Sequence, residues 1–405
     1  LLGTGPRFAR TFQHHPELLG DLATGELLKD RQRPDLLTRA RGTVGWRFGE
    51  TSVQQGLLAF WRAEMLRIAV RDVLGLADVT ATGRSLSDLA EVVIQVALES
   101  VAPNLPLAVV GMGRLGGREL AYSSDLDLLF VYRNWVTSNL DADDELPDAL
   151  EAEAAEAAAT AVVRMIEGST PALGLYRVDT ALRPEGRQGP QARSVKAYAM
   201  YYDRWAQPWE RQALLRGRVL AGDAEVASAF ETLAEGFVWG RPFGAEEIRE
   251  IRRTKARVEK ERVPASDDPA FHLKLGPGAL ADIEWTVQLL QLQHRVVGSG
   301  TMEALQLLVE QGAMGAEDAS VLMDAYRFCE QTRNRLGLTR DIPGDSLPAA
   351  GHQLTTLARS FGTTPTGLRD EYRRRTRRAR RVVERLFYGR EPGDASPGTP
   401  AVRNP

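Results

Sequence analysis

The most constraining feature of this sequence is a pair of aspartates, Asp125 and Asp127, at the start of an apolar run that extends to Tyr132. The run has the length and composition of a buried β-strand, and alternate residues of a strand point to the same face of a sheet. Both carboxylates are therefore expected on one face, where two like charges repel unless a cation lies between them. A divalent ion that prefers oxygen ligands, above all Mg²⁺, meets this need. The pattern predicts a metal-dependent site built on a strand.

A glycine segment lies between this strand and another predicted strand, 107–110. Its spacing, Gly-x-Gly-x-x-Gly from residue 111, matches the fingerprint of dinucleotide-binding Rossmann folds. A Rossmann unit needs a full crossover helix and an acid at the carboxyl end of its second strand. Here residues 118–124 alone separate the last glycine from acids at the amino end. We therefore prefer a turn in which Gly116 and Gly117 let backbone amides approach a triphosphate. A glycine turn before an Asp-x-Asp strand is the core signature of a nucleotidyltransferase site.

A third carboxylate is expected from a neighbouring strand, and Asp179 is the candidate because it lies in an alternating segment, 175–182. A surface position is the alternative interpretation of this residue. Three carboxylates are able to hold two Mg²⁺ ions about 3.5–4 Å apart, an arrangement that stabilises in-line displacement. Phosphoryl-type transfer depends on positioning and charge neutralisation, so a serine or cysteine nucleophile is not required. The five histidines show no zinc-binding spacing.

Composition excludes several other classes of protein. A chain of 405 residues is expected to form two or three domains. A net charge of −3 argues against a general nucleic-acid binder. The single cysteine, Cys329, excludes a disulfide framework within the chain, fits a cytoplasmic protein, and is interpreted as a small buried residue on a helix. No apolar stretch is long enough to span a bilayer and no secretory signal opens the sequence, whose start without methionine suggests a piece of a larger protein.

The pattern along the chain predicts an α+β fold. Apolar residues at helical spacing predict a helix over 52–74, and a second helix is predicted to begin at Ser85, with Ser87 and Asp88 as alternative caps. An alanine- and glutamate-rich segment predicts a helix over 147–167, and almost everything from about residue 195 is expected to be helical. The predicted units are a helical lead (1–100), a mixed-sheet catalytic domain (101–195), a helical bundle (196–390) and a disordered tail (391–405).

Four blocks in order make the chain similar to the glutamine synthetase adenylyltransferase/adenylyl-removing enzyme family. They are residues 111–127, 182–190, 209–214 and 274–288. The resemblance implies a nucleotidyltransferase domain of the DNA polymerase beta type. It also implies cytoplasmic transfer of AMP from ATP to a tyrosine of glutamine synthetase, with release of pyrophosphate. The amino-acid sequences of these blocks resemble those of the carboxy-terminal module of actinobacterial members.

The same resemblance implies roles for individual residues. Asp125 and Asp127 would bind both Mg²⁺ ions, and Asp179 would hold the catalytic ion and help to deprotonate the tyrosine. The residues expected to contact ATP are Gly116, Gly117, Ser124, Arg183, Gln212 and Lys274. Arg183 has an ion pair with Glu185 as its alternative interpretation. Asp282 is interpreted as a helix cap. The alternative interpretation, which also applies to Glu284, is an acid that faces the cleft.

Two other functions stay open at this point. One alternative is the phosphorolytic module of the family, which removes AMP by running the transfer in reverse with the same metal ions. The other is a regulatory module with an inactive site, against which the three aspartates argue. Glutamine synthetase is the implied protein partner, and a PII-type nitrogen-signalling protein is a possible regulator. The arginine-rich helix around 373–381 is interpreted as a solvated face, with docking of an acidic partner as the alternative.

Overall fold

The protein is an α+β structure in which one small mixed sheet is enclosed by helices. The computed structural model describes residue 13 and residues 18–47, 49–133, 145–170, 173–262, 267–339 and 344–390. The predicted tail at 391–405 lies outside these residues. The helices up to the last strand are α1 (Leu18–Ala23), α2 (Arg33–Val44), α3 (Glu50–Val73), α4 (Val79–Val101), α5 (Gly113–Gly116), α6 (Glu145–Glu167), α7 (Val195–Arg204) and α8 (Pro208–Leu214). Those that follow are α9 (Ala224–Trp239), α10 (Ala245–Arg262), α11 (Leu280–His294), α12 (Thr301–Glu310), α13 (Ala316–Thr339), α14 (His352–Ser360) and α15 (Pro365–Leu386).

Five strands form the sheet: β1 (Leu107–Gly111), β2 (Leu126–Tyr132), β3 (Val178–Asp179), β4 (Ala192–Ser194) and β5 (Arg218–Gly222). β1 lies between β2 and β5 and is antiparallel to both. The other edge of β2 pairs in parallel with β3 near its start and with β4 near its end. β2 is thus central to the sheet. The Asp-x-Asp segment lies where this strand begins, because Asp125 immediately precedes it and Asp127 is its second residue.

The two faces of the sheet are buried in different hydrophobic cores. Successive residues of β2 alternate between them: Leu128 packs with the amino-terminal helices and α6, whereas Leu129 packs with the carboxy-terminal helices. β1 divides in the same way, with Val109 on the first face and Val110 on the second. This alternation follows from the period of two in a strand. It means that Asp127, two residues before Leu129, lies on the face that is turned toward the carboxy-terminal helices.

Several predicted elements are confirmed. β1 and β2 occur where the apolar runs predicted them, and the helices predicted over 52–74 and 147–167 correspond to α3 and α6. Most of the described chain after residue 195 is helical, as predicted. Cys329 is buried on α13, as expected for a small apolar residue. In the described part of the chain, no helix is both long and apolar enough to cross a membrane.

Other predictions about the elements were wrong. The helix predicted from Ser85 begins at Val79, because the Asp78 side chain accepts a hydrogen bond from the Ala81 amide at 2.7 Å and caps it. The candidate caps Ser87 and Asp88 lie in mid-helix. The strand predicted over 175–182 pairs only at Val178–Asp179, and β4 and β5 were not predicted at all. β5 belongs to the sheet although it lies beyond residue 195.

Asp282 does not cap α11, whose N-cap residue is Ala279. Its carboxylate is buried and bonds Lys255 on α10 and, at 2.7 Å, Arg380 on α15. It also accepts a hydrogen bond from the Gly278 amide at 2.7 Å. Burial alone would raise the pKa of Asp282, but the two cations hold it below its ordinary value. The carboxylate therefore joins three helices of the carboxy-terminal region through buried ion pairs.

Candidate active site

Two of the three predicted carboxylates meet across neighbouring strands. Asp127 and Asp179 are register partners in the parallel pair of β2 and β3, so their side chains leave the sheet side by side. Both are half-buried, whereas Asp125 precedes β2 and is exposed. The site lies at the start of β2 because β3 pairs only there. The structure thus brings Asp127 and Asp179 together and leaves Asp125 at the solvent side.

Gly113 lies directly against the Asp127 carboxylate. Its backbone has φ of 54°, a left-handed conformation that favours glycine. A Cβ at this position would lie 2.5 Å from Asp127 Oδ2. The Met112 amide donates to the carbonyl oxygen of Asp127 at 2.8 Å, which fixes the glycine segment to the strand. The absence of a side chain at Gly113 therefore lets the Asp127 carboxylate lie directly against the backbone of the glycine segment, a close approach that sequence reasoning assigned to the later glycines.

Gly116 and Gly117 have a different environment. A Cβ on Gly116 would lie 1.6 Å from the Arg216 carbonyl oxygen, and one on Gly117 would lie 3.0 Å from that of Ser299. Their amides donate within the turn, to Met112 O at 3.0 Å and to Gly113 O at 3.1 Å respectively. Both glycines are buried. In this structure they allow backbone segments to pack closely, and both N–H groups have acceptors inside the protein.

The turn before β2 positions Asp125. The Ser124 hydroxyl accepts a hydrogen bond from the Ala121 amide at 3.0 Å, and the Ser124 amide donates to the Ala121 carbonyl at 3.1 Å. This reciprocal pair closes the segment that connects α5 to the strand. Ser124 therefore shapes the entry into β2, next to the exposed Asp125.

The loop after β3 is organised by Arg183. Its buried guanidinium donates to the carbonyl and hydroxyl oxygens of Thr180, both at 2.7 Å, and to the Gly189 carbonyl at 3.0 and 3.1 Å. The alternative ion pair with Glu185 is wrong, because Glu185 pairs with Arg193 at 2.6 Å. Asp179 Oδ1 accepts from the Ala181 amide at 2.8 Å. Arg183 thus holds the chain that leaves the Asp179 position.

The remaining predicted nucleotide contacts lie on the carboxy-terminal side. Gln212, on α8, is buried and donates from Nε2 to Gln288 Oε1 at 2.7 Å. No partner for Gln212 Oε1 occurs among the described residues. Lys274 is exposed in the loop before α11, and its charge helps to lower the pKa of Glu284.

Sequence reasoning missed a buried ionic network that begins at the glycine segment. Arg114, which follows Gly113, bonds Glu284 of α11 at 3.0 Å and Glu330 of α13 at 2.5 Å. Arg216, which precedes β5, lies 3.1 Å from Glu119 and 3.7 Å from Glu284. The Tyr326 hydroxyl of α13 donates to Glu119 at 2.9 Å, and the Thr301 amide of α12 donates to Glu119 at 2.6 Å. The signal in the sequence was an arginine and a glutamate inside the glycine block itself.

The pKa values of the two acids that hold Arg114 are shifted in opposite directions. Burial alone would raise the pKa of Glu284, but the Arg216 and Arg114 guanidinium groups keep it below its ordinary value. Burial raises the pKa of Glu330 above its ordinary value despite Arg114. Glu330 Oε1 has no hydrogen-bond partner within the described residues, which fits a carboxylate that is only half satisfied. Glu284 is the better anchor of Arg114 in the fold.

The donor set suits a hard cation, although the ligands are not assembled. Within the described ranges, no group of three or more histidine, cysteine, aspartate or glutamate side chains converges as ligands for one metal ion. Asp127 and Asp179 supply adjacent carboxylates, and the Asp127 carboxylate lies against the backbone of Gly113. Carboxylate oxygens are the ligands that Mg²⁺ prefers. The adjacent pair thus fits Mg²⁺ in chemistry, with Asp125 close by in sequence.

Comparison with known proteins relates the chain to enzymes of nitrogen metabolism. The profile of the family described as glutamate-ammonia ligase adenylyltransferase matches residues 1–233, and that of GlnD PII-uridylyltransferase matches residues 246–389. Three relatives share the name bifunctional glutamine synthetase adenylyltransferase/adenylyl-removing enzyme. The protein of Leifsonia xyli is 37% identical over 95% of this chain and 39% of its own length. The protein of Mycolicibacterium smegmatis is 39% identical over 96% of this chain and 40% of its own length. That of Streptomyces avermitilis is 38% identical over 92% of this chain and 39% of its own length. The chain spans about two fifths of the length of these relatives.

Proposed function

Because the chain belongs to the glutamate-ammonia ligase adenylyltransferase family, we propose that it transfers AMP from ATP to a tyrosine hydroxyl of glutamine synthetase and releases pyrophosphate. The observation that carries this proposal is the register pair of Asp127 and Asp179 with Gly113 beside it. Nucleotidyl transfer needs carboxylates that hold a cation against the phosphates. The pair supplies adjacent carboxylates of this kind, next to a backbone segment that has no side chain at Gly113.

Each carboxylate has a role in this reaction. Asp127 and Asp179 would hold Mg²⁺ together with Asp125, and the ions would neutralise charge on the phosphates when they are bound. Asp179 would also accept the proton of the tyrosine hydroxyl. Gly113 allows the Asp127 carboxylate to lie against the glycine segment, and Arg183 keeps the loop after Asp179 in place through its bonds to Thr180 and Gly189. Gln212 and Lys274 are the predicted contacts to ATP from the carboxy-terminal side.

The carboxy-terminal helices complete the site in our proposal. The sheet with α5 would form a catalytic domain of the DNA polymerase beta type, preceded by a helical lead and followed by a bundle that closes over the nucleotide. Support comes from the ion pairs of Arg114 and Arg216 with Glu284, which link the glycine segment to α11. The match of residues 246–389 to a PII-uridylyltransferase family fits a helical region that accompanies nucleotidyl transfer to proteins. A PII-type regulator is a further predicted partner.

The direction of transfer rests on the sequence blocks, which resemble the adenylylating, carboxy-terminal module. The named relatives carry both activities, so the test must separate them. The chain is incubated with labelled ATP, Mg²⁺ and purified glutamine synthetase of the same source. We expect label on a tyrosine of the synthetase and an equal amount of pyrophosphate, with free tyrosine a very poor acceptor because remote binding energy positions the hydroxyl.

A parallel reaction uses pre-adenylylated synthetase and inorganic phosphate. Release of ADP there, without labelling in the first reaction, would assign the chain to the adenylyl-removing activity. The Asp127→Asn variant serves as the control in both reactions, because it lacks a predicted metal ligand and keeps the size of the side chain. An active Asp127→Asn variant would contradict the proposed site, whereas the direction is decided by which of the two reactions the unaltered chain carries out.

A further inference from the structure

The last helix, α15, carries nine arginines and three acidic residues. One face of the helix is buried in the carboxy-terminal core. The residues of that face are Leu368, Tyr372, Thr376, Ala379, Val382 and Val383. A helix that is amphipathic in this way needs polar residues on its outer face, but it does not need them to share one sign of charge. The arginines therefore call for an explanation beyond solubility.

Some of these arginines have a structural role. Arg375 bonds Glu371 on its own helix and Asp324 on α13. Arg380 bonds Asp282 of α11 at 2.7 Å and Glu384 at 3.2 Å. Arg385 bonds Asp318 of α13. These arginines flank the buried face and fasten α15 to its neighbours, so their charges are accounted for.

A second group of arginines points away from the core, and we name it the arginine face. Its members are the exposed residues Arg373, Arg374, Arg377, Arg378 and Arg381. Arg374 bonds Glu371 at 2.7 Å, and Arg373 lies over the Phe271 ring. For Arg377, Arg378 and Arg381, no ion pair or hydrogen bond occurs within the part of the chain that the structure describes. The five arginines and Asp370 line an open surface hollow of about 430 Å³.

The spacing within the arginine face makes its charge costly. Arg373, Arg377 and Arg381 follow one another at intervals of four residues, as do Arg374 and Arg378. Side chains four residues apart are neighbours on a helix, and like charges there destabilise it. The whole chain has a net charge of −3, so the face is a local concentration of positive charge on a slightly acidic protein. For Arg377, Arg378 and Arg381, no contact among the described residues offsets this repulsion, which points to a partner.

We propose that the arginine face docks an acidic patch on the surface of the protein substrate; this inference rests on the function proposed above. Guanidinium groups bind carboxylates in a planar, bidentate geometry, and a cluster of them steers an acidic surface into place. A folded protein is favoured over nucleic acid because the chain as a whole is acidic and the hollow has no aromatic lining on which bases stack.

The position of α15 connects such docking to the site. Arg380 binds α15 to Asp282 on α11. Two residues further along the same helix, Glu284 bonds Arg114, which follows Gly113 in the glycine segment. A protein held on the arginine face is thus held on the same helical body that fixes the glycine segment. Docking there orients the acceptor tyrosine without any contact between the arginines and the reacting atoms.

The test compares two triple variants of the full chain. In the first, Arg377→Glu, Arg378→Glu and Arg381→Glu reverse the arginine face. In the matched control, Arg249→Glu, Arg253→Glu and Arg257→Glu make the same change of charge on exposed positions of α10. A third variant, with Arg377→Gln, Arg378→Gln and Arg381→Gln, removes the charges without reversing them, in case charge reversal impairs folding. Thermal unfolding verifies that all three variants are folded. Binding to immobilised glutamine synthetase is measured at low and high NaCl, together with the rate of AMP transfer.

Reversal of the arginine face is expected to raise the KM for glutamine synthetase about tenfold or more, and to weaken binding equally, while kcat and the KM for ATP stay within about twofold. The Gln variant should show a smaller loss, and the α10 control none. Three results would overturn the docking proposal. The first is an equal loss of binding in the charge-reversal variant and in the α10 control, and the second is unchanged binding in the charge-reversal variant. The third is tighter binding of the unaltered chain to duplex DNA than to the synthetase. Absence of AMP transfer by the unaltered chain would contradict the proposed function instead, and the binding comparison would still decide the docking surface.

Discussion

At the scale of single residues, the site depends on the repulsion between Asp127 and Asp179. Two half-buried carboxylates in one register repel each other without a cation. Asp127→Asn removes one of these charges and one predicted metal ligand. We expect it to lower the rate of AMP transfer by about 10³-fold or more, while the thermal stability of the metal-free protein holds or rises. Transfer assays with Mg²⁺ and calorimetry in EDTA measure the two effects.

Asp35→Asn is a suitable control for that experiment. Asp35 is exposed on α2, and its replacement should leave both transfer and stability almost unchanged. A fall in the metal-free stability of Asp127→Asn would mean that the carboxylate stabilises the fold, and the interpretation as a repulsive pair would be wrong.

A second residue-scale prediction concerns Gly113. In Gly113→Ala the new Cβ would lie 2.5 Å from Asp127 Oδ2, so either the carboxylate or the glycine segment must shift. A displacement of this size is expected to lower transfer by about 100-fold. Gly312→Ala is the matched control, because Gly312 has a similar φ of 71° and no atom within 4 Å of the added Cβ. Both variants should lose about 1 kcal/mol of stability from backbone strain, and only Gly113→Ala should lose activity.

The residue scale also shows how far sequence reasoning reaches. The alternation of segment 175–182 indicated Asp179, and the structure places this residue in register with Asp127. The partners of Arg114 were out of reach, since Glu284 and Glu330 lie 170 and 216 residues away in the chain. Contacts of that kind depend on how helices pack, which local patterns do not specify.

At the scale of elements, α11 and α13 both hold the glycine segment through Arg114, but they do so unequally. Glu284→Gln on α11 is expected to lower the free energy of unfolding at pH 7 by about 1–3 kcal/mol, because a buried charge loses its partner. Glu330→Gln on α13 should cost less, since burial already disfavours the ionised form of Glu330. Denaturant unfolding of both variants gives the comparison, and a larger loss for Glu330→Gln would contradict it.

The two variants should also differ in their dependence on pH. The pKa of Glu284 is lowered in the fold, so its stabilisation is present above the ordinary carboxyl pKa of 4.5 and is lost as the pH falls through the lower, folded value. The deficit of Glu284→Gln should therefore shrink in acid. The pKa of Glu330 is raised, so its ionisation weakens the fold as the pH rises above 4.5. Unfolding measured between about pH 3 and pH 7 tests both signs.

The predictable elements were those with a long or strongly apolar local pattern. The long helices α3 and α6 and the buried strands β1 and β2 have such patterns, either in the spacing of apolar residues or in composition. β3 and β4 have two and three residues, and β5 is a short strand between two helices, so their pairing with β1 or β2 decides their conformation. Tertiary pairing overrides local propensity in segments of this size.

At the scale of the whole molecule, the sheet joins two hydrophobic cores that would otherwise be separate. The sequence predicted a helical lead and a helical bundle around a sheet, but it did not show that adjacent residues of β2 supply different cores. Leu128 and Leu129 are both buried, one in the core of the amino-terminal helices and one in that of the carboxy-terminal helices. Loss of either core would expose one face of the same strands, and for this reason the two cores are expected to unfold together.

Leu128→Ala and Leu129→Ala test this coupling. Each should lower the stability by about 2–5 kcal/mol, the cost of removing a buried leucine side chain, and each should shift one and the same calorimetric transition. Leu150→Ala is the control, because Leu150 is 72% exposed and its loss should change little. Two transitions, one moved by Leu128→Ala and the other by Leu129→Ala, would show that the cores melt independently. In that case the Asp127 and Asp179 pair would lie on a boundary between two units, and its geometry would depend on the unit that melts first.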